Sequence, residues 1–176
     1  MAKNENPMLM PSVGKVVVNI CTGRSGEPLE KAGNILKELT AREPCLRRAK
    51  RTLRAFGIRK GEPIASLVTL RGQNAEEFLR RAFSAVAARI SEKSFDKYGN
   101  FAFGIKEHID IPGTRYNPQL GIFGMNIDVS MERPGYRVAR RRRRKSRIGL
   151  RHRLTREEAI EFVKERFGIE VVSAVE

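Results

Sequence analysis

The sequence predicts an α+β fold: an open, largely antiparallel sheet with helices packed on one of its faces. Short β-branched runs bounded by glycine and proline alternate with stretches in which apolar residues recur at helical spacing. Two pairs of these strands are joined by segments rich in turn residues, as antiparallel pairs are. A chain of 176 residues can bury a core of its own, so we expect residues 1–176 to form one domain.

The first half of the chain gives a strand, a helix and a hairpin. "GKVVVNICTG" predicts a strand over residues 14–23, and Pro28 suits the first position of a helix that ends before Pro44. A strand over residues 45–53 and a return strand over 64–70 are separated by glycine and proline. The hairpin they form would have a long basic tip.

A second helix and a second strand pair follow. Asn74 is the predicted helix cap, and strands are predicted over residues 101–105 and 122–131, with a surface loop over 108–123 between them. The apolar face of the helix is predicted to consist of Phe78, Leu79, Ala82, Phe83, Val86 and Ile90.

The last helix has the clearest boundaries. "TREE" is a capping box, in which Thr155 accepts from the amide of Glu158 and the Glu158 side chain reaches back. Gly168 supplies a left-handed stop, and residues 169–172 are a candidate edge strand.

Residues that could support catalysis or hold a metal are few. Cys21 and Cys45 are expected to be reduced, buried thiols, and His108 and His152 lie far apart without a cysteine at metal-ligand spacing. Residues 22–27, "TGRSGE", lack the ending of a P-loop, so a tight turn whose amides approach a phosphate is the better interpretation. We therefore predict no catalytic residue, no metal and no cofactor.

The sequence also argues against a membrane partner. No apolar run approaches the ~20 residues of a membrane span. Residues 1–12 lack the apolar segment of a secretory signal. A cytosolic location is the resulting expectation.

The positive charge is concentrated in two segments. The net charge is +15; residues 42–60 contribute +7 and residues 137–153 contribute +10, which leaves −2 for the rest of the chain. Charge that served solubility alone would be spread over the sequence. Two concentrated basic segments indicate a polyanionic partner.

The first basic segment combines a charged strand with an aromatic tip. Alternation along the strand would put Arg47, Ala49 and Arg51 on one face and Leu46, Arg48 and Lys50 on the other. A solvated edge strand is the alternative. At the tip, Phe56 is either exposed for stacking on an unpaired base or buried as an anchor of the loop.

The second basic segment contains five consecutive arginines, residues 140–144. Disorder, a nuclear address and ordered contact with phosphates are three interpretations. Because the run lies between a strand and a well-capped helix, both of its ends are fixed. We favour phosphate contact, with the segment disordered until RNA is bound.

Five segments, in this order and spacing, resemble the large-subunit ribosomal protein family five. They cover nearly the whole chain: "VVVNICTG", "AKRTLRAFGIRKGEPIASLVTLRG", "FLRRAFSAVAARI", "SFDKYGNFAFGIKEHIDIP" and "GIFGMNIDVS". The arginine run before the last helix resembles the archaeal and eukaryotic branch. The resemblance implies a structural protein without catalysis. An RNA-modifying or nucleotide-using enzyme with basic arms is the alternative, for which the sequence offers no catalytic base or metal set.

The resemblance also implies the partners and the site. The family binds 5S ribosomal RNA on its free sheet face, in the central protuberance of the large subunit, beside the large-subunit RNA. The rRNA-binding residues it implies here, together with those of the arginine run, are Asn19, Thr22, Gly23, Arg42, Arg47, Arg48, Lys50, Arg51, Arg140, Arg141, Arg142, Arg143, Arg144, Lys145 and Arg147.

Two further contacts are implied by the resemblance. The protruding loop over residues 54–61 would reach P-site transfer RNA. Its contacting residues would be Arg54, Phe56, Gly57, Ile58, Arg59 and Lys60. A small-subunit head protein would be met through an intersubunit bridge, to which we assign no residue.

Overall fold

A five-stranded sheet forms the centre of the fold in a computed structural model, which describes residues 6–172. Residues 1–5 of the segment tested above for a secretory signal lie outside that range. The elements in chain order are β1 (Ser12–Cys21), α1 (Glu27–Thr40), β2 (Cys45–Arg48), β3 (Pro63–Leu70), α2 (Gln73–Ala85), β4 (Arg89–Ser91), β5 (Phe101–Ile105), β6 (Met125–Glu132), α3 (Arg137–Arg140), α4 (Arg156–Phe167) and β7 (Glu170–Val172).

The strand order is β2-β3-β1-β6-β5, and every neighbouring pair in this sheet is antiparallel. A separate small sheet pairs β4 with β7 in parallel. The predicted α+β class with an open, largely antiparallel sheet is therefore confirmed.

One face of the large sheet is buried and the other is open. Along β1, Val16, Val18 and Ile20 are buried, whereas Val17 and Asn19 between them are only partly covered. The buried set packs with the apolar sides of α1, α2 and α4 in a single core. Period-two alternation on a strand thus separates a core face from an open face, as predicted.

The hairpin is confirmed, but β2 is shorter than predicted. It ends at Arg48, where the register with β3 shifts. The amide of Ala49 then donates to the Glu62 carbonyl, and the amide of Gly61 donates to the Ala49 carbonyl. The strand alternation expected beyond Arg48 is therefore wrong, and Lys50 and Arg51 belong to a turn.

The start and the end of α2 also differ from the prediction. Gly72, with a φ of 61°, is the N-cap residue, and Asn74 lies inside the helix. The helix ends at Ala85, and left-handed Ala87 and Ala88 turn the chain so that Ile90 enters β4 instead of extending the helix. Local spacing could not reveal this turn because neither alanine is a turn-forming residue type.

The segment over residues 108–123 is only partly a surface loop. His108 and Ile111 are 2% and 1% exposed, so this segment contributes to the core. The Nδ1 atom of His108 accepts from the amide of Phe123 at 3.3 Å. Burial lowers the pKa of His108. His108 is a structural histidine.

The boundaries of α4 are confirmed in detail. Thr155 Oγ1 accepts from the amide of Glu158, and a carboxylate oxygen of Glu158 accepts from the amide of Thr155 at 3.0 Å. Gly168 ends the helix with a φ of 66°. The predicted final strand is also present, as β7.

The cysteines are free thiols, but the predicted burial is wrong: Cys21 and Cys45 are both exposed. Cys21 ends β1 opposite Ala65, and Cys45 begins the exposed edge strand opposite Leu67, both on the open face. Within residues 6–172, no helix has the length and apolar content that crossing a membrane requires.

Candidate RNA-binding surface

The open face of the sheet is polar and nearly uncharged along its centre. One row across it contains Thr69, Val17, Asp128 and Ala102, and the next contains Leu67, Asn19, Asn126 and Gly104. Lys15 and Asp128 are its central charged side chains and have opposite signs. The open-face residues of β5, Ala102 and Gly104, are small. Such a surface can form hydrogen bonds with a ligand but exerts little electrostatic attraction.

In the turn after β1, residues 22–27, the first two backbone amides are already bonded within the protein. Asn19 lies on the open face, but the amides of Thr22 and Gly23 both donate to the carbonyl of Ile64, at 3.1 and 3.2 Å. Thr22 Oγ1 contacts the carbonyls of Arg24 and Ile64. The interpretation in which these backbone amides hold a phosphate is therefore wrong for both residues.

All five of the predicted basic residues around β2 are exposed. Arg47 lies on the open face opposite Ala65, and Arg42 shares with it a groove of about 430 Å³. Arg48 lies at the register shift, opposite Pro63, and Lys50 and Arg51 lie in the turn that follows. The structure thus brings Arg42 and Arg47 together in one groove, which Arg48 does not line.

The loop over residues 54–61 presents its aromatic residue to solvent. A short helical turn, Arg54–Phe56, ends at left-handed Gly57, and Phe56 is 75% exposed. The interpretation of Phe56 as a buried anchor is therefore wrong. The loop is closed instead by backbone hydrogen bonds between Leu53 and Ile58, at 2.9 and 3.1 Å.

Glu62, at the base of the same loop, helps to hold it in place. Its carboxylate accepts from the amide of Arg59 at 2.9 Å and from the hydroxyl of Ser25 at 2.7 Å. These two hydrogen bonds hold the pKa of Glu62 below its ordinary value. The amide of Lys60 donates to Thr52 Oγ1 at 3.0 Å. Backbone contacts therefore position the tip, which leaves its basic side chains exposed.

The second basic segment, residues 137–153, forms what we call the arginine loop. It begins with the short helix α3 and ends with a helical turn, Leu150–His152, before α4. The five arginines of the run are not equivalent. Arg140 forms a two-pronged ion pair with Glu132, and Arg141 Nε donates to the carbonyl of Arg144 at 2.8 Å. Of the residues predicted to bind RNA in this loop, five others are exposed: Arg142, Arg143, Arg144, Lys145 and Arg147. Arg137 and Arg151, which were not among the predicted residues, are exposed as well.

Side chains also join the two ends of the arginine loop; we call these contacts the neck. Tyr136 Oη accepts from the amide of Leu154 at 2.8 Å, and His152 Nε2 donates to the carbonyl of Pro134 at 2.7 Å. Arg133 is only 7% exposed, pairs with Glu158 at 2.6 Å and donates to the carbonyl of Arg153. The loop therefore has a fixed base.

Glu158 connects the neck to the capping box of α4. Burial raises the pKa of this carboxyl, but hydrogen bonds from the amide of Thr155 and from Arg133 outweigh burial, so the pKa lies below its ordinary value. From the sequence, Glu158 was predicted only as a capping residue, and Arg133 was not predicted to have a role. The turn "RPGY", which begins at Arg133, is the one local feature that marks this position, and it does not indicate that Glu158 is the partner of Arg133.

A bulge in β1 makes room for the carboxylate that holds Arg140. The register of β1 with β6 shifts around Gly14, and a Cβ atom there would lie 2.5 Å from the Glu132 side chain. A side chain at position 14 would therefore displace the Glu132 carboxylate from the place where it pairs with Arg140. This role is not visible in the sequence, because Gly14 and Glu132 are distant in the chain.

The two basic segments lie at opposite corners of the sheet. The hairpin β2–β3 lies beside the end of β1 that contains Cys21, whereas the arginine loop follows Glu132, which pairs with Ser12 at the other end of β1. Ten residues of strand span about 30 Å. A polar, near-neutral face thus connects two exposed basic corners. In residues 6–172 there is no cluster of three or more histidine, cysteine or acidic residues that could hold a metal ion.

An open polar sheet face between two basic corners is typical of a protein that binds a polyanion such as RNA. Comparison with known proteins identifies the family. Residues 6–59 match the family model described as ribosomal protein L5, and residues 63–162 match the model that describes the C-terminus of the same ribosomal protein family. The chain belongs to the L5 family of ribosomal proteins.

Archaeal relatives support the same assignment. The protein named large ribosomal subunit protein uL5 of Sulfurisphaera tokodaii is 54% identical over 168 residues, 95% of each chain. That of Aeropyrum pernix is 51% identical over 95% of this chain and 88% of its own. That of Pyrobaculum aerophilum is 54% identical over 94% and 93%. The archaeal-type resemblance is confirmed, and membership of this family confirms a structural, non-enzymatic protein.

Proposed function

We propose that this chain is a structural component of the large ribosomal subunit that binds 5S ribosomal RNA and helps to attach it in the central protuberance. The observation that carries the proposal is the near-neutral polar face held between two basic corners about 30 Å apart. The archaeal relatives are named as proteins of the large ribosomal subunit, which supports the assignment to that subunit. Residues 1–176 would act as one RNA-binding domain.

The two kinds of surface would have different tasks. Exposed arginines at the corners bind phosphates, which provides most of the affinity and makes it depend on salt. The central face lies against the wide, shallow minor groove of an RNA helix, where 2′-hydroxyls and base edges are accessible. Asn19, Asn126 and Thr69 can donate to or accept from those groups. Because the centre of the face is nearly uncharged, an RNA that is attracted only by the two basic corners would gain little from it.

Individual residues take different roles in this proposal. Phosphate contacts are assigned to Arg42, Arg47, Arg48, Lys50, Arg51, Arg142, Arg143, Arg144, Lys145 and Arg147, and contacts near the sheet face to Asn19, Thr22 and Gly23. Arg140 and Arg141 instead hold the shape of the arginine loop, because Arg140 pairs with Glu132 at the end of β6 and Arg141 Nε donates to the carbonyl of Arg144. Since the corners are far apart, the arginine loop can bind large-subunit RNA while the sheet face binds 5S RNA.

The protruding loop over residues 54–61 is proposed to contact P-site transfer RNA. Phe56 stands exposed at the tip, where it can stack on a base or pack on a sugar. Arg54, Arg59 and Lys60 supply the surrounding charge, and Gly57 and Ile58 set the path of the turn. A bridge to a small-subunit head protein completes the proposed contacts, without an assigned residue.

Affinity for 5S RNA tests the proposal. At 0.15 M salt we expect a preference on the order of 1,000-fold over an unrelated folded RNA of equal length, as for specific nucleic-acid interfaces. The double substitution Asn19→Ala with Asn126→Ala should weaken only the 5S complex. Asn34→Ala on the exposed side of α1 is the matched control and should change neither. Equal affinity of the wild-type chain for both RNAs would refute 5S recognition.

A further inference from the structure

A pocket of about 410 Å³ lies where the open sheet face meets the arginine loop. Its sheet side is formed by Tyr98, Asn100, Ser130 and Glu132, and its loop side includes Tyr136 and Arg147. We propose that this pocket receives one unpaired nucleotide of RNA bound across the sheet, its base against Tyr98 and its phosphate at Arg147. The proposal rests on the proposed function and adds a site to it.

The walls of the pocket are fixed before any ligand enters. Asn100 donates to Asp96 at 3.0 Å and accepts from the amide of Met131 at 3.2 Å. Tyr136 is held by the amide of Leu154 at the neck of the arginine loop. Ready-made walls lower the cost of ordering on binding. The pocket is therefore a property of the folded chain rather than an opening between mobile segments.

Tyr98 provides the surface for a base. Its side chain is 47% exposed, and its backbone is anchored by an amide that donates to Asp96 at 2.7 Å. The ammonium group of Lys97 lies 5.1 Å from the ring centre, so a base stacked there would have a cation beside it. Unpaired bases bind proteins by such stacking on aromatic rings. Ser130 at the sheet side offers a hydroxyl to a base edge.

The charge of the pocket suits a phosphate. Glu132 is the acidic residue in its wall, and Arg140 neutralises that carboxylate. Arg153 also lines the pocket, and its Nε donates to the carbonyl of Ile148. Arg147 is exposed and, among residues 6–172, forms no ion pair, so its planar fork is available to a phosphate. The pocket adjoins the polar face but is too small for a duplex, which favours a single extruded nucleotide.

Matched substitutions test the pocket in the full chain bound to 5S RNA. Tyr98→Ala should weaken binding about tenfold, within the range of one base stacked on an aromatic ring, and should leave the salt slope unchanged. Tyr116→Ala, at another exposed tyrosine, should have no effect. Arg147→Gln should make the slope shallower by about 0.7–0.9, whereas Arg151→Gln, which removes the same charge outside the pocket, should change it less.

A second measurement separates failure of this site from failure of the proposed function. A short single-stranded RNA with one 2-aminopurine should lose fluorescence on the wild-type chain and not on the Tyr98→Ala variant. Ultraviolet crosslinking should join RNA to the peptide over residues 98–106. If 5S RNA shows no preference but these signals appear, the proposed function fails and the pocket stands. If the Tyr98→Ala and Tyr116→Ala variants bind RNA with equal affinity, the proposed nucleotide site is refuted. It is also refuted if residues 98–106 crosslink in the ribosome only to protein.

Discussion

The basic hairpin over residues 42–60 and the arginine loop over residues 137–153 are both strongly basic, the loop more so than the hairpin, but they are held in different ways. Backbone hydrogen bonds close the hairpin: Leu53 pairs with Ile58, and Ala49 pairs with Glu62 and Gly61. Side chains close the arginine loop through Arg133, Tyr136 and His152. A strand ladder is enough to hold a moderately charged tip, whereas the more charged loop has ion pairs and hydrogen bonds at its base.

The comparison shows that a count of positive charges does not give a count of phosphate contacts. Arg140 belongs to the run by sequence, but Glu132 holds it. Arg133 carries the same charge and is buried. The contacts at the neck also argue against disorder of the arginine loop before RNA binds, an expectation that rested on charge repulsion alone. That expectation, like the alternative of an address segment, stays open to the experiments below.

The largest effect is expected from removing the exposed part of the arginine run. Changing Arg141–Arg144 to glutamine keeps the Arg140–Glu132 pair and removes about three phosphate contacts. The slope of log affinity against log salt should become shallower by about 2–3 units, and affinity at 0.15 M salt should fall on the order of 100-fold. Filter binding with 5S RNA and with large-subunit RNA across a salt series measures both quantities.

Arg140→Gln is the control for that experiment. It removes one charge from the same run, but from a side chain that is already paired, so the slope should stay unchanged while stability falls. A normal slope in the four-residue variant with both RNAs would mean that the run is a solvated or address segment.

The next largest effect is expected from a substitution in the neck, which tests whether these contacts order the arginine loop. Arg133→Ala removes the pair with Glu158 and should cost about 2 kcal/mol of unfolding free energy, less than a fully buried pair because Glu158 is partly exposed. Urea unfolding measures it. Without RNA, the arginine loop should resist protease in the wild-type chain and be cut in the variant. Arg137→Gln, on the exposed helix α3, should leave both measurements unchanged. Equal protease sensitivity of wild type and Arg133→Ala would show that the neck does not order the loop.

A smaller effect is expected when the tip of the hairpin is replaced. A short Gly/Ser turn in place of residues 54–60 should preserve the thermal transition, since Phe56 is exposed and the base of the hairpin remains paired. Ribosomes that carry the variant should release P-site transfer RNA about fivefold faster, the effect of losing one stacking contact. A collapsed transition would contradict the structural part of this prediction, and unchanged release would contradict the contact.

The smallest effect concerns pH at the neck. Glu158 has a pKa below its unfolded value of 4.5, so its contribution is complete above about pH 4.5 and is lost as pH falls through the folded pKa. Glu158→Gln keeps a capping side chain but not the charge. The stability difference between wild type and this variant should therefore shrink on acidification. A difference that is constant from pH 7 to pH 3 would show that the charge does not contribute.

Features that depend on neighbouring residues were predictable, and features that join distant segments were not. The capping box at Thr155 and the stop at Gly168 are local, and both are present. The end of β2 at Arg48 depends on a register shift with β3, and the exposure of Cys21 depends on which face of the sheet is covered. The neck joins Tyr136 to Leu154 across a run whose composition indicates only charge. The site residues carried over by family resemblance stay predictions.

The small parallel sheet has a consequence for how the chain reaches its fold. β4 pairs with β7, and the ion pair between Arg89 and Glu170 joins residues 81 positions apart. During synthesis, β4 therefore waits without a partner until nearly all described residues have been made, although the strands of the large sheet are already complete. Contacts this distant in sequence form slowly. We expect β4, an unpaired edge in that interval, to be the part of the nascent chain most exposed to wrong pairing, and its flanking charge at Arg89 to reduce that risk.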